Sequence, residues 1–179
     1  MASTIDRLSG FRDRRDAFFA DHEHSPLTAE QRREFRGLAY FAPNDALRFE
    51  VALDTNGDGI GEEVTLGTAD GGTKTYLRAG RVRFTVDGAP VTFSVFKEPV
   101  RGRYFLPFRD GTAGSETYEV GRYLDPRALP DGRLSLDFNF AYNPYCAYSD
   151  GWSCPIPPAE NVTAVPIRAG ERQHEPSRS

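Results

Sequence analysis

A chain of 179 residues with 39% hydrophobic side chains has the size of one domain with its own core, and nothing in its composition calls for two. The 22 basic and 26 acidic residues leave a net charge of -4, without the basic footprint that a nucleic-acid surface needs. The amino terminus is charged from Asp6 onward and lacks the apolar run of a secretory signal, and no window is apolar for long enough to cross a bilayer; the expected location is the cytoplasm, with no membrane contact.

Residues Ile5 to Asp21 are predicted to form a helix, with Leu8, Phe11, Phe18 and Phe19 on one side and arginines and aspartates opposite. Thr28 and Gln31 have capping-box spacing, which starts a second short helix running to about Phe35. From Leu47 the apolar period changes to two. Leu47, Phe49, Val51 and Leu53 alternate with polar or small residues, and Val64 and Leu66 follow after a turn. Val82, Phe84 and Val86 precede Asp87-Gly88, and Val91, Phe93 and Val95 follow it, the pattern of a tight hairpin. Tyr104 to Phe108, Thr117 to Leu124 and Leu134 to Tyr142 read as further strands, with Val162 to Ile167 a candidate last one. The expected fold is a single mainly β domain over residues 1–171, an antiparallel barrel or sandwich with a short helical clasp at its amino terminus. A polar tail, residues 172–179, is expected to be disordered.

Asp54, Asn56 and Asp58, with Gly59 at the sixth place, resemble the first half of an EF-hand calcium loop, but position twelve is Thr65 and strands flank the segment. The alternative is an acidic turn between strands, and no other cofactor is indicated. His22 and His24 read as solvated surface. Cys146 and Cys154 cannot complete a structural zinc site alone; they read as thiols paired in space or buried small hydrophobes, with a disulfide as the other reading. No nucleophile elbow, phosphate loop, dinucleotide fingerprint or metalloprotease helix is present.

Two polar blocks remain. In the first, Asp110 and Thr112 occupy a glycine-rich turn, and Glu116, Tyr118 and Arg122 fall on one face of the strand expected after it. Gly111 and Gly114 let backbone approach closely, either to a ligand or to a neighbouring loop. An arginine and carboxylates facing a pocket suit a polar or anionic ligand; they equally suit a structural ion pair of Arg122 with Asp110, Glu116 or Asp137. In the second block Asp137, Asn139 and Asn143 lie opposite an apolar strand face, ahead of an irregular loop that holds both cysteines, Trp152, Pro155, Pro157 and Pro158. These Asx side chains serve either a binding site or the loop's own backbone amides.

The pattern Phe108, Asp110, Thr112, Gly114, Thr117, Tyr118 and Arg122, followed by Asp137-Phe138-Asn139, Ala141-Tyr142-Asn143-Pro144, Cys146-Ala147, Cys154-Pro155, Pro157-Pro158, Asn161 and Ala169-Gly170-Glu171, resembles the uncharacterised bacterial and archaeal family called domain of unknown function 1684. The resemblance runs from about Phe11 to Glu171 and implies no particular reaction; it implies that the two blocks meet in space. The expectation is therefore one cleft binding or hydrolysing a small polar molecule. Arg122 would orient it, Asp110, Thr112, Tyr118, Asn139, Asn143 and Asn161 would contribute polar contacts, and Glu116 or Asp137 would be the base. The competing expectation is a non-enzymatic structural or interaction module whose polar residues fasten the proline-rich loop.

Overall fold

The computed structural model describes residues 2–174. Helix α1 spans Thr4–Asp21 and α2 spans Ala29–Glu34. Both open with a capping box: Ser3 and Asp6 exchange backbone and side-chain bonds at one, Thr28 and Gln31 at the other. The strands are β1 (Arg48–Val51), β2 (Glu63–Gly67), β3 (Thr73–Val86), β4 (Ala89–Lys97), β5 (Tyr104–Phe108), β6 (Arg122–Leu124), β7 (Arg127–Ala128) and β8 (Leu134–Asp137). All pairings within the two sheets are antiparallel. One sheet has the order β1-β8-β7; the other, β2-β3-β4-β5-β6, curls into half a barrel. The mainly β expectation with helices at the start holds. No helix among the described residues is long and apolar enough to cross a membrane.

The core follows the period-two pattern. Val82, Phe84 and Val86 of β3, Val91, Phe93 and Val95 of β4, and Leu134 and Leu136 of β8 turn inward and close around Phe108, Phe138 and Ile167. The Asp87-Gly88 hairpin forms with both residues at positive φ, 48° and 81°. A smaller apolar cluster, Phe19, Leu27 and Tyr148, joins the carboxyl end of α1 to the loop after β8.

Three expected strands are shorter or absent. β6 begins only at Arg122, because Thr112 to Gly121 fold into successive turns in which the Thr112 carbonyl accepts from Ser115, Glu116 and Thr117. β8 ends at Asp137, whose side chain accepts the Asn139 N–H and starts a 3-10 turn, Phe138–Phe140. Residues 162–167 form no strand. Arg109 pairs with Val162 in a single bridge, and the segment then bonds irregularly to the 109–111 backbone. Gly111 permits this approach, since a Cβ there would lie 2.2 Å from the Ala164 carbonyl oxygen. Residues 172–174 are tied down, with the Arg172 N–H on Ala39 O at 2.8 Å and the Gln173 N–H on Glu116 O at 2.9 Å; the rest of the expected disordered tail lies outside the described residues.

Candidate functional site

Arg122 on β6 is fully buried. Its Nη1 donates to the carbonyls of Ala169 at 2.5 Å and Glu171 at 3.2 Å, and its Nη2 donates to the Ile167 carbonyl at 2.9 Å and to Asp110 Oδ1 at 3.4 Å. Asp110 also accepts the Ile167 N–H at 2.6 Å and the Thr112 hydroxyl at 2.8 Å. Burial pulls the guanidinium below its ordinary pKa and the Asp110 charge pushes back. The pair thus fastens the strap from Ile167 to Glu171, a segment with no ladder of its own to satisfy its carbonyls.

The asparagines act the same way. Asn161 accepts the Ser94 N–H at 2.7 Å and donates to the Ser94 and Pro107 carbonyls, each at 2.8 Å, stitching β4 to β5. Asn139 holds Asn44 by its N–H and carbonyl at 2.8 and 3.0 Å. The Asn143 N–H donates to Glu171 Oε2 at 2.9 Å, and its side-chain amide donates to Tyr148 Oη and the Arg172 carbonyl. The two blocks do come together, at Glu171, which touches both Arg122 and Asn143. They meet in packed interior, however, and not around an opening. Asp110, Thr112, Arg122, Asn139, Asn143 and Asn161 are all buried and line neither hollow described below. A continuous strand would put Asn139 on the face opposite Phe138 and Phe140; the 3-10 turn after Asp137 buries it instead.

The remaining candidates separate. Glu116 pairs with Arg168 at 3.0 Å beside a hollow of about 350 Å³ that it shares with Arg36, Arg172 and His174. Asp137 pairs with Arg48 at 3.3 Å on the wall of a different, larger cleft. Tyr118 is half-buried near both cysteines, and burial raises its phenol. Cys146 and Cys154 are free thiols; the Cys146 thiol donates to the Trp152 carbonyl at 3.2 Å, and burial together with its Cys154 neighbour pushes it up to about 12. In the acidic turn, Asp54 is bonded to Arg83 at 2.9 Å and to the Asn56 N–H. Among the described residues no group of three or more His, Cys, Asp or Glu side chains is placed to hold a metal ion.

The larger cleft, about 810 Å³, lies between α1 and the outward face of the three-stranded sheet. Register sets that face: Glu50 and Arg127 stand on either side of Ser135, and Arg48 stands opposite Asp137. Leu134 and Leu136 take the inner face, so alternation leaves the polar set outside. Phe11 of α1 meets Phe140 at 5.1 Å to form an aromatic floor, and Arg7 and Arg14 line the helix side. At the far end Tyr142 Oη donates to both oxygens of Asp125, at 3.0 and 3.1 Å. Desolvation lifts the Asp125 carboxyl above its ordinary range, against the Tyr142 bond, and burial raises the Tyr142 phenol. Among the described residues Arg14 and Arg127 have no carboxylate within ion-pair distance.

Residues 33–172 match the family model described as Protein of unknown function (DUF1684). The chain belongs to this family. A solution NMR structure of an uncharacterised protein of the archaeon Haloarcula marismortui is 41% identical, covers 93% of this chain and 92% of its own, and superposes with a TM-score of 0.70. No curated protein matches. The family match contains the buried fasteners and most of the cleft wall from the sheet, whereas α1 lies before it. Sequence reasoning missed Arg14, Arg127 and Asp125 because each looks like an ordinary surface charge. Glu171 entered that reading only as the end of the family pattern, with no role assigned, because a lone acidic residue two positions after Ala169 carries no mark of burial.

Proposed function

We propose that the chain is a small-molecule-binding domain whose site is the cleft between α1 and the three-stranded sheet. One observation carries the reading: a space of about 810 Å³ has an aromatic floor, Phe11 and Phe140, and is lined by two arginines, Arg14 and Arg127, that have no carboxylate partner among the described residues. Its volume lies in the range of roughly 300–1,000 Å³ typical of ligand pockets. The matching ligand has an apolar or aromatic body and an anionic head, since ring faces take the body and a guanidinium takes a carboxylate or phosphate in fork geometry. Asp125 is the group in the cleft suited to give or take a proton, through its desolvated carboxyl. Asp110, Arg122, Asn139, Asn143 and Asn161 serve as scaffold in this reading, fastening the strap and loops behind the site.

The test is heteronuclear NMR with a panel of aryl and alkyl carboxylates and phosphates. Saturable shifts are expected at Phe11, Phe140 and Arg127. Ser135→Trp, which fills the cleft from the middle strand, should abolish them without unfolding the sheet, and Arg127→Ala should weaken binding about tenfold. Shifts clustered elsewhere, or none at the cleft across the panel, would remove the proposal.

A further inference from the structure

Among the described residues Glu171 is the one acidic side chain wholly enclosed between α1 and the β body, with none of its surface exposed. Its backbone is fixed by the bridge to Tyr40, by its N–H on the Ala141 carbonyl at 3.0 Å, and by Arg122 donating to its own carbonyl. Its carboxylate turns toward the helix, where Oε2 accepts Arg15 Nη2 at 2.8 Å and the Asn143 N–H at 2.9 Å. Oε1 has no partner. Nor does Asn143 Oδ1, which is also buried. The charged and titratable groups around it are Arg15 from α1, Tyr40 before β1, Arg122 from β6 with Asp110 behind it, and the Tyr142 phenol; Arg12 and Asp16 flank Tyr40 on the helix side. A buried carboxylate with one oxygen unbonded is costly. A proton on Oε1 removes the charge and converts an unpaired acceptor into a donor.

The Arg15–Glu171 contact sits at a division within α1. Beyond it Phe18 and Phe19 anchor the helix against Tyr145 and Tyr148, with ring centroids 6.3 and 4.8 Å apart. Before it Arg7, Phe11 and Arg14 form the cleft wall, held to the body by the buried Leu8, Phe11 on Phe140, Arg12 over the Tyr40 ring and on the Phe41 carbonyl at 3.3 Å, and Arg48 on the Thr4 hydroxyl at 3.1 Å.

We propose that α1 is the adjustable wall of the cleft and that its docking is coupled to the uptake of one proton by Glu171. The consequence for ligand binding rests on the cleft reading above; the coupling itself does not. Desolvation pushes the carboxyl from its ordinary 4.5 up to about 7, with Arg15 opposing. The docked helix encloses the carboxyl and undocking returns it to water, so the docked state is the one that holds the proton. Raising the pH from about 4.5 through about 7 therefore loosens α1.

The experiment is hydrogen exchange of the full chain from about pH 5 to about pH 8, corrected for intrinsic exchange, with wild type beside Glu171→Gln. Protection of the α1 amides is expected to fall with rising pH, by up to about tenfold per unit inside the window, in wild type and not in the variant. The Gln variant should show a flat α1 profile. Equal slopes in the two proteins, or α1 amides as strongly protected as those of β4 at every pH, so that the helix opens only with the whole fold, would overturn the proposal. Should the variant fail to fold, the carboxyl carbon of Glu171 in wild type decides by NMR titration: a midpoint near 7 that moves together with α1 resonances supports coupling, and a midpoint below about 5 ends it. Both measurements use no ligand, so an empty ligand screen leaves them standing, while saturable cleft shifts with a flat exchange profile would sink only the proton coupling.

Discussion

Arg122 offers two Nη nitrogens to four acceptors, three of them strap carbonyls 45 to 49 residues away in sequence. Replacement by Met keeps much of the volume but leaves Asp110 as a buried carboxylate without its cation and the strap carbonyls unpaired. The expected loss of stability is about 3–5 kcal/mol, read from urea unfolding. Lys should not rescue it, because a point ammonium cannot span three diverging carbonyls. Adding Asp110→Asn to Arg122→Met should recover part of the loss, the sign of direct coupling. A loss under about 1 kcal/mol for the single variant would mean the residue is not a fastener. A structural ion pair of Arg122 was legible in the sequence as one of two readings, with Asp110 one of three partners named, since an arginine and carboxylates in a glycine-rich block admit few arrangements. The strap was not, because carbonyls of an irregular segment carry no side-chain signature.

Among elements, the β3–β4 hairpin was legible because alternation on both sides of Asp87-Gly88 allows only one register once one face is buried. The first half of β3 was missed: residues from Thr73 to Arg81 break the pattern, and the reason is the irregularity between Arg78 and Gly80. Gly80 is required there, as a Cβ would stand 2.6 Å from the Asp54 carbonyl oxygen and 2.8 Å from Leu53 Cδ1. Gly80→Ala should therefore cost about 1–3 kcal/mol and shift the amides of Asp54 and Arg81, which bond each other across this crossing at 2.8 and 2.9 Å. Unchanged thermal stability and unmoved amides would show that the backbone there has room the structure does not provide. At residues 162–167 alternation misled, because the segment's N–H groups are taken singly by Arg109, Thr163 and Asp110 rather than by a neighbouring strand.

At the scale of the whole molecule the cleft was illegible, since its wall draws on α1, β1 and the segment before it, β6, β7, β8 and the turn after β8, and no local spacing links them. The same assembly gives stability an unusual pH profile. Glu160 is held below its ordinary 4.5 by Arg78 at 2.6 Å, so its contribution is present above that value and is lost as the pH falls through the depressed one. Glu171 works with the opposite sign. Its folded pKa of about 7 exceeds the ordinary 4.5, so the native state binds the proton more tightly, and its contribution is complete below 4.5 and lost as the pH rises to 7. The gap corresponds to at most about 3 kcal/mol. Urea unfolding across the range should therefore find maximum stability on the acid side of neutrality, with a decline toward about pH 8. Glu171→Gln mimics the protonated carboxyl, so it should match wild type near pH 4 and exceed it by roughly 2–3 kcal/mol near pH 8. The opposite order at pH 8, with the Gln variant weaker, would mean that the ionised carboxylate stabilises the fold through Arg15 by more than its burial costs.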